Sequence, residues 1–477
     1  MAKKNNNIVK LFDNSIHTET DKINTYPYAK TCDNLNGKDI RCFLNTLNGY
    51  SIKELNENKA NEGDIWVWPH SFEDKKELEQ MTVLECKFDN NGKIDYLHTG
   101  NLVGWIGNGK VQVEISSRFS KNTEKNGEQD YFLYYMLSKV FRMNIVSMEV
   151  GSGSLKELDL LVFMFPRLLQ EAMRQGLFKQ YVKREYNDSN VKGTIDVNRH
   201  LRFNNPANGR IAYRTREFSF DNYITQLIRH TIVHIEKRPM GRALLSGSKE
   251  IEECVKHIVQ STPTFQKGQL RQVMADNRKI VSHPYFTKYK ALQQICLAIL
   301  RNERVSHGAL SDKVHGILID AAWLWEEYLA IVLEDVGFKH HTSKDAFKLF
   351  ENHDGELFQK VIPDYVHTND YIADAKYIPL DRYEQMDAER AAAVYYKTIM
   401  YMYLKATSRG FLFYPYKGDA EESMAHSYQI NNGRDCFLHK IGMKIPDADD
   451  YGEFCENIKK VELRYNEIII ELTKNPC

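Results

Sequence analysis

VIPDYVHTNDYIADAKY, Val361 to Tyr377, is the stretch on which the reading of this chain turns. Two short apolar runs, Phe358 to Ile362 and Tyr371 to Ala375, flank the polar residues His367, Thr368, Asn369 and Asp370. That is the pattern of a β-hairpin with a short loop. On such a hairpin Asp364 ends one strand, while Asp374 and Lys376, two apart on the other, share a face. Asp is disfavoured in strands, so a Pro-Asp followed by Asp-x-Lys needs a chemical reason. Phosphodiester hydrolysis supplies one. Two carboxylates hold a hard divalent cation such as Mg2+ through oxygen, the cation polarises the phosphate and acidifies a bound water, and a lysine orients or deprotonates that water.

The chain around this stretch is globular. Its 477 residues are 42% hydrophobic and 27% charged, enough for two to four domains with cores of their own. No apolar run is long enough to span a membrane, and the opening MAKKNNNIVKLFDN is basic without a following apolar segment, so a cytoplasmic location is expected. Eight cysteines are scattered without a C-x-x-C pair, which argues against a zinc site and for reduced thiols. The formal net charge is zero, but Glu171 to Lys290 holds 22 Lys and Arg against 11 Asp and Glu. A basic middle of this kind suits phosphate backbones or an acidic protein partner.

Residues 1–127 are expected to form a β-rich module. DIWVWP (Asp64–Pro69), TVLECKFD (Thr82–Asp89) and KVQVEISS (Lys110–Ser117) alternate between turn signals. Gly104 to Lys110 mimics half of a phosphate-binding loop. Val111 stands where a magnesium-holding Ser or Thr is required, and the segment leads into a strand where that motif leads into a helix. It reads as a hairpin turn. Residues 128–305 are expected to be mainly helical, with YFLYYMLSKVF (Tyr131–Phe141) a buried helix rather than a base-stacking platform. Within them, Val191–Val197 and Arg210–Phe218 read as strands of a basic hairpin extension carrying Lys192, Arg199, Arg202, Arg210, Arg214 and Arg216. Residues 306–477 read as helix, strands near 347–377, a helix from about Asp387 to Ala406 and the strand GFLFYP (Gly410–Pro415).

VKGTIDVNRHLRF (Val191–Phe203), the helix FDNYITQLIRHTI (Phe220–Ile232), then IADAKY (Ile372–Tyr377) and YYKTIMYMYLKATSRGFLFYP (Tyr395–Pro415) together resemble the McrC family, the nuclease subunit of McrBC and LlaJI-like modification-dependent restriction systems. The resemblance covers about residues 130–440 and says least about residues 1–127. It implies an α+β multidomain chain whose last third is a PD-(D/E)xK endonuclease domain, a mixed sheet flanked by helices. Asp364 and Asp374 would bind Mg2+, Lys376 would be the catalytic lysine, and Glu326, in AAWLWEEYLAIVL (Ala321–Leu333), would be a further acidic ligand. Lys397 stands where relatives often carry glutamine, and a lysine there would contact the scissile phosphate. The resemblance also implies double-stranded DNA as substrate and a bacterial or archaeal host. GTP would be bound by a separate McrB-like AAA+ ring, which this chain docks on and stimulates, with a second McrC copy in a larger assembly. The basic 186–220 element is then the part expected to enter that ring. Two other functions fit the residues: a scaffold and activator of the ring with little nuclease activity, and a stand-alone nuclease that reads DNA through residues 1–127.

Overall fold

The protein is described from a computed structural model over residues 7–19, 29–32, 34–57, 64–71, 77–123, 127–141, 159–238, 241–306, 314–341, 346–353, 355–378, 380, 388–418, 424–431 and 435–474. It is a mixed α+β chain of two compact units, one of residues 1–157 with 310–477, the other of residues 158–309.

The first unit departs from the expected boundaries near 127 and 306. Strand His315–Asp320 lies inside a five-stranded sheet of otherwise N-terminal strands, in the order Asn7–Phe12, Val111–Ser116, Leu102–Gly107, His315–Asp320, Asp64–Trp68. HGILID is apolar along almost its whole length and buried from Gly316 on, so it requires a neighbour on each side and both faces covered. Residues 1–127 are therefore not a free-standing module. Gly104 permits the pairing, since its φ of +136° and an Ile317 carbonyl oxygen 2.2 Å from where a Cβ would stand exclude any side chain. The phosphate-loop mimic is thus a strand and turn, with Asn108 Oδ1 accepting from the Lys110 and Val111 amides at 2.9 Å each. A four-stranded sheet in the order Ala29–Thr31, Ile16–Thr18, Ile94–Thr99, Leu84–Phe88 accompanies it. One core joins both parts of the unit, Leu318 packing in the same cluster as Leu11, Leu44, Val67 and Ile106.

The rest of this unit is a six-stranded mixed sheet in the order Phe338–His340, Tyr365–His367, Ile372–Ala375, Arg409–Tyr416, Phe437–Lys444, Met424–Gln429. Strands Ile372–Ala375, Arg409–Tyr416 and Phe437–Lys444 run parallel and the others pair antiparallel. RGFLFYPY is buried throughout and reads apolar on both faces, as a central parallel strand must. Leu412 and Tyr414 share a core with Met402 of helix Ala388–Lys405. Phe411 and Phe413 meet Phe338 edge to face, and Phe413 also meets Tyr465 of helix Tyr451–Lys474. Helices thus cover both faces. Helix Tyr131–Val140 is buried as expected, Phe132 meeting Trp325 and Tyr328 at 6.2 and 6.0 Å.

The second unit is built on helices Asp159–Arg174, Tyr223–Glu236, Lys249–Ser261 and Tyr289–Ser306. Its basic element is not the simple hairpin expected. Gln180–Asp188 pairs antiparallel along its length with Ile211–Ser219, and Thr194–Ile195 adds only two residues on the other side. Val197–Phe203, expected as a strand end and a loop, is a helix, with Asp196 accepting the Arg199 amide as its cap.

Candidate active site

The 361–377 stretch folds differently from the hairpin expected of it, in a way that sharpens the site. Leu357–Val361 pairs backwards with Phe347–Glu351, while Tyr365–His367 pairs with Ile372–Ala375 in the register Tyr365↔Ala373, Val366↔Ile372. Pro363, lacking an amide hydrogen, stands between the two pairings. The register sets Asp364 opposite Asp374, and Asp364 Oδ2 accepts the Ala375 amide at 2.6 Å.

Asp374 is wholly buried at the centre of the site. Its Oδ2 faces the Lys376 ammonium, its Oδ1 lies 3.4 Å from Lys397 Nζ, and no group donates a hydrogen bond of ordinary geometry to Oδ2. Lys397 arrives from helix Ala388–Lys405, the crossover between strands Ile372–Ala375 and Arg409–Tyr416. One turn on, Tyr401 donates to the Ile362 carbonyl at 2.9 Å and its ring lies 5.5 Å from Lys397 Nζ. Asp364, Asp374, Lys376 and Lys397 therefore converge.

Glu326 is less committed. Its helix, Ala321–Val332, is capped by Asp320 and borders the same sheet, but its Oε1 is bound by His340 Nε2 at 2.8 Å. Among the described residues no group of three or more Asp, Glu, His or Cys is arranged to hold a metal ion. The structure thus brings two carboxylates together and keeps the third expected ligand on a histidine. His340 and Tyr401 escaped the sequence reading. The available signals were the adjacent pair His340-His341 and the four-residue spacing from Lys397 to Tyr401.

Burial and neighbouring charges drive the two carboxyls in opposite directions. Burial, and then the charges of Asp374 and Glu326, push the Asp364 carboxyl well above the usual range, against the pull of Lys376 and Lys397. Burial also acts to raise Asp374, but the two ammoniums and hydrogen bonds from Lys376 and Asp364 outweigh it and hold this carboxyl below its ordinary value. Lys397 is desolvated, which disfavours its charge, yet Asp374 and Asp364 more than restore it and raise its pKa. His340 is raised by its hydrogen bond to Glu326. Two like carboxylates that share one proton in this way are a common signature of a functional site.

A family model described as the McrBC 5-methylcytosine restriction system component matches residues 97–415. The chain belongs to that family. No curated protein matches it. Among solved structures it is similar to a half-complex from the tetradecameric assembly of Thermococcus gammatolerans McrB AAA+ hexamers with bound McrC, at 12% identity and a TM-score of 0.45 over 95% of this chain and 100% of that one. It is also similar to the Thermococcus gammatolerans McrBC complex, at 12% identity and a TM-score of 0.32 over 69% of this chain and 87% of that one.

The basic element contains family sequence as well, and its side chains divide into two kinds. Arg214 binds Glu185 at 3.2 Å and Asp196 at 2.6 Å, Arg199 binds Glu185 at 3.3 Å, and Arg216 lies 5.0 Å from the Tyr181 ring, so these arginines tie the element together. Arg202 and Arg210 are exposed without an ion-pair partner among the described residues, and Lys192 is exposed near Glu217. The sequence reading, which set Val197 at the end of a strand and the following residues in a loop, overlooked the apolar side. Val197 and Leu201, one turn apart on the short helix, are 61% and 62% exposed, and Ile195 and Phe203 are exposed beside them in sequence.

Proposed function

We propose that this chain is the metal-dependent DNA endonuclease subunit of a McrBC-type restriction complex, acting on double-stranded DNA through a PD-(D/E)xK-type site. The observation that carries the reading is the buried Asp374 carboxylate, set opposite Asp364 and between two ammoniums on an inner strand of a mixed sheet. A hard cation suits this donor set: the buried Asp374 carboxylate is met by two lysine ammoniums, and Asp364 can release a proton to make a second anionic oxygen. Asp364 and Asp374 would hold it, with Glu326 joining only if His340 lets go. Bound there, Mg2+ supplies Lewis-acid polarisation of the scissile phosphate and a water of lowered pKa. Lys376, next to Asp374, orients the attacking water, and Lys397 offers positive charge to a phosphate oxygen as negative charge builds there.

Family membership and the element around Val197 support a second part of the proposal. The chain docks through that element on a separate McrB-like AAA+ ring, which binds GTP and carries recognition and translocation, while a pair of such chains can meet in a larger assembly. Arg202, Arg210 and the apolar helix face are the groups free to reach the ring. Asp374→Ala separates this reading from a pure activator: DNA cleavage in Mg2+ should vanish while stimulation of the partner NTPase persists. Unchanged cleavage would remove Asp374 from the mechanism, and cleavage by the parent chain with no partner present would overturn the subunit reading.

A further inference from the structure

The two-stranded sheet that precedes Asp364 is built in a way that its own stability does not explain. Phe347–Glu351 pairs antiparallel with Leu357–Val361, and the register sets Lys348 opposite Lys360 and Phe350 opposite Phe358. Lys348 and Phe350 share a face of Phe347–Glu351, and each stands directly across from Lys360 or Phe358, so the four gather on one face on either side of the left-handed Gln359 at φ +56°. Phe350 and Phe358 are 47% and 49% exposed with ring centroids 5.5 Å apart. Directly opposed like charges weaken a ladder, and a lone hairpin is marginal to begin with. Among the described residues neither lysine has an anionic partner. The other face is the anchored one: Phe347 stacks on His341 at 5.8 Å and lies under Lys405 Nζ at 6.0 Å.

The hairpin also leads into the site. Its second strand ends at Val361, the next carbonyl, Ile362, is held by Tyr401, and Asp364 follows after Pro363. A polyanion lying along the Lys348–Lys360 face is therefore delivered to the carboxylates by the chain itself. Paired cations beside paired exposed aromatic rings match one strand of a nucleic acid whose bases are unstacked: lysines meet phosphates and rings meet base faces.

We propose that this hairpin face is a binding platform for one strand of the DNA substrate, unpaired where it enters the 364–376 site, with Lys348 and Lys360 on its phosphates and Phe350 and Phe358 stacked on its bases. The inference rests on the nuclease reading but concerns how the substrate is held, so the two are tested apart. The full chain is titrated in chelator, to prevent cleavage, against a fluorescein-labelled thymidine 20-mer and a labelled hairpin duplex, with fluorescence anisotropy read across about 50 to 200 mM salt. Lys348→Glu with Lys360→Glu should weaken single-strand binding by about tenfold or more at low salt, and Lys348→Gln with Lys360→Gln should lower the log–log salt slope by about 1.4, two phosphates' worth. Phe350→Ala with Phe358→Ala should weaken single-strand binding about tenfold with the slope unchanged, leave the duplex untouched, and be rescued by Tyr at both positions. Single-strand affinities of the Lys348→Glu/Lys360→Glu and Phe350→Ala/Phe358→Ala variants within about twofold of the parent would overturn the platform while leaving the nuclease reading standing. A parent that binds duplex but not single strand would do the same, and so would a parent that binds neither. Phe350, Phe358 and Lys360 are exposed and Lys348 is half-buried, so unchanged thermal melts are expected to verify the fold of each variant.

Discussion

Replacing Asp364 with Asn should make the metal-free protein more stable and the enzyme inactive. In the folded chain this carboxyl is half-buried opposite Asp374 and near Glu326, and its pKa stands well above the ordinary carboxylate value. A carboxyl raised in the folded state contributes stability below its unfolded pKa and loses it as the pH rises through the folded value, so at neutral pH Asp364 is a net cost. Asn keeps an oxygen for the Ala375 amide and removes the repulsion, but forfeits attraction to Lys376 and Lys397. Exchanging buried charged groups for neutral ones of similar shape commonly gains a few kcal/mol, and partial exposure discounts this to about 1–2 kcal/mol. For a unit of this size that is about 1.5–3 °C in Tm. Scanning calorimetry in chelator at several pH values reads the effect: the gain should be present at neutral pH and shrink on acidification as the parent's Asp364 becomes neutral too. Mg2+ reverses the order, because a cation at one hundred times its Kd adds about 2.7 kcal/mol to a protein that can bind it and nothing to one that cannot. A variant no more stable than the parent in chelator, or one stabilised by Mg2+ as strongly as the parent, would refute the shared-proton reading of the pair.

Three further outcomes are expected. Glu326→Gln should lower the pKa of His340, read by NMR titration of its ring protons, since hydrogen bonding to Glu326 is what raises it; the stability that pair adds is complete below pH 6.5 and is lost as the pH rises through the folded value, so the variant's stability should change less with pH over that window. Val197→Glu with Leu201→Glu should abolish stimulation of the partner NTPase with a Tm unchanged within about 1 °C, because both side chains already face solvent. Gly104→Ala should cost more than about 2 kcal/mol in chemical denaturation, since the new methyl meets the Ile317 carbonyl at a positive φ, and a loss below about 1 kcal/mol would show that the two strands can separate there.

Local pattern carried much of the fold into view. RGFLFYPY, with no polar alternation, could be placed as a buried strand, and the Gly107-Asn108-Gly109 turn could be told from a phosphate loop because Val111 lacks a hydroxyl. What stayed hidden was pairing between distant segments. His315–Asp320 carries no mark that its neighbours are Leu102–Gly107 and Asp64–Trp68, about 200 and 250 residues upstream. Val197–Phe203 was misread for a different reason. Its β-branched and aromatic residues favour extended backbone, and the Asp196 cap, a single tertiary-independent hydrogen bond, outweighs them.

The site was legible by composition and illegible by geometry, and the difference follows from what each residue is asked to do. Asp374 and Lys376 sit two apart on one strand, so periodicity alone unites them. Asp364 reaches them only because Pro363 ends one pairing and Tyr365 begins another, which moves the acid from a strand end to a position directly across from Asp374. Glu326 belongs to a separate helix, and nothing in AAWLWEEYLAIVL foretells a histidine partner on the neighbouring edge strand. That partner has a chemical consequence. With His340 protonated its charge offsets that of Glu326; as the pH rises past the raised His340 value that offset is lost beside Asp364, whose own carboxyl is held above the usual range and gives up its proton as the pH climbs further. Both changes add negative charge at one place over the same direction of pH, so affinity for a divalent cation should climb more steeply with pH than loss of a single proton allows. Calorimetric titration of Mg2+ with parent and Glu326→Gln chains at a series of pH values should show that extra steepness in the parent alone, and equal slopes would confine the cation to Asp364 and Asp374.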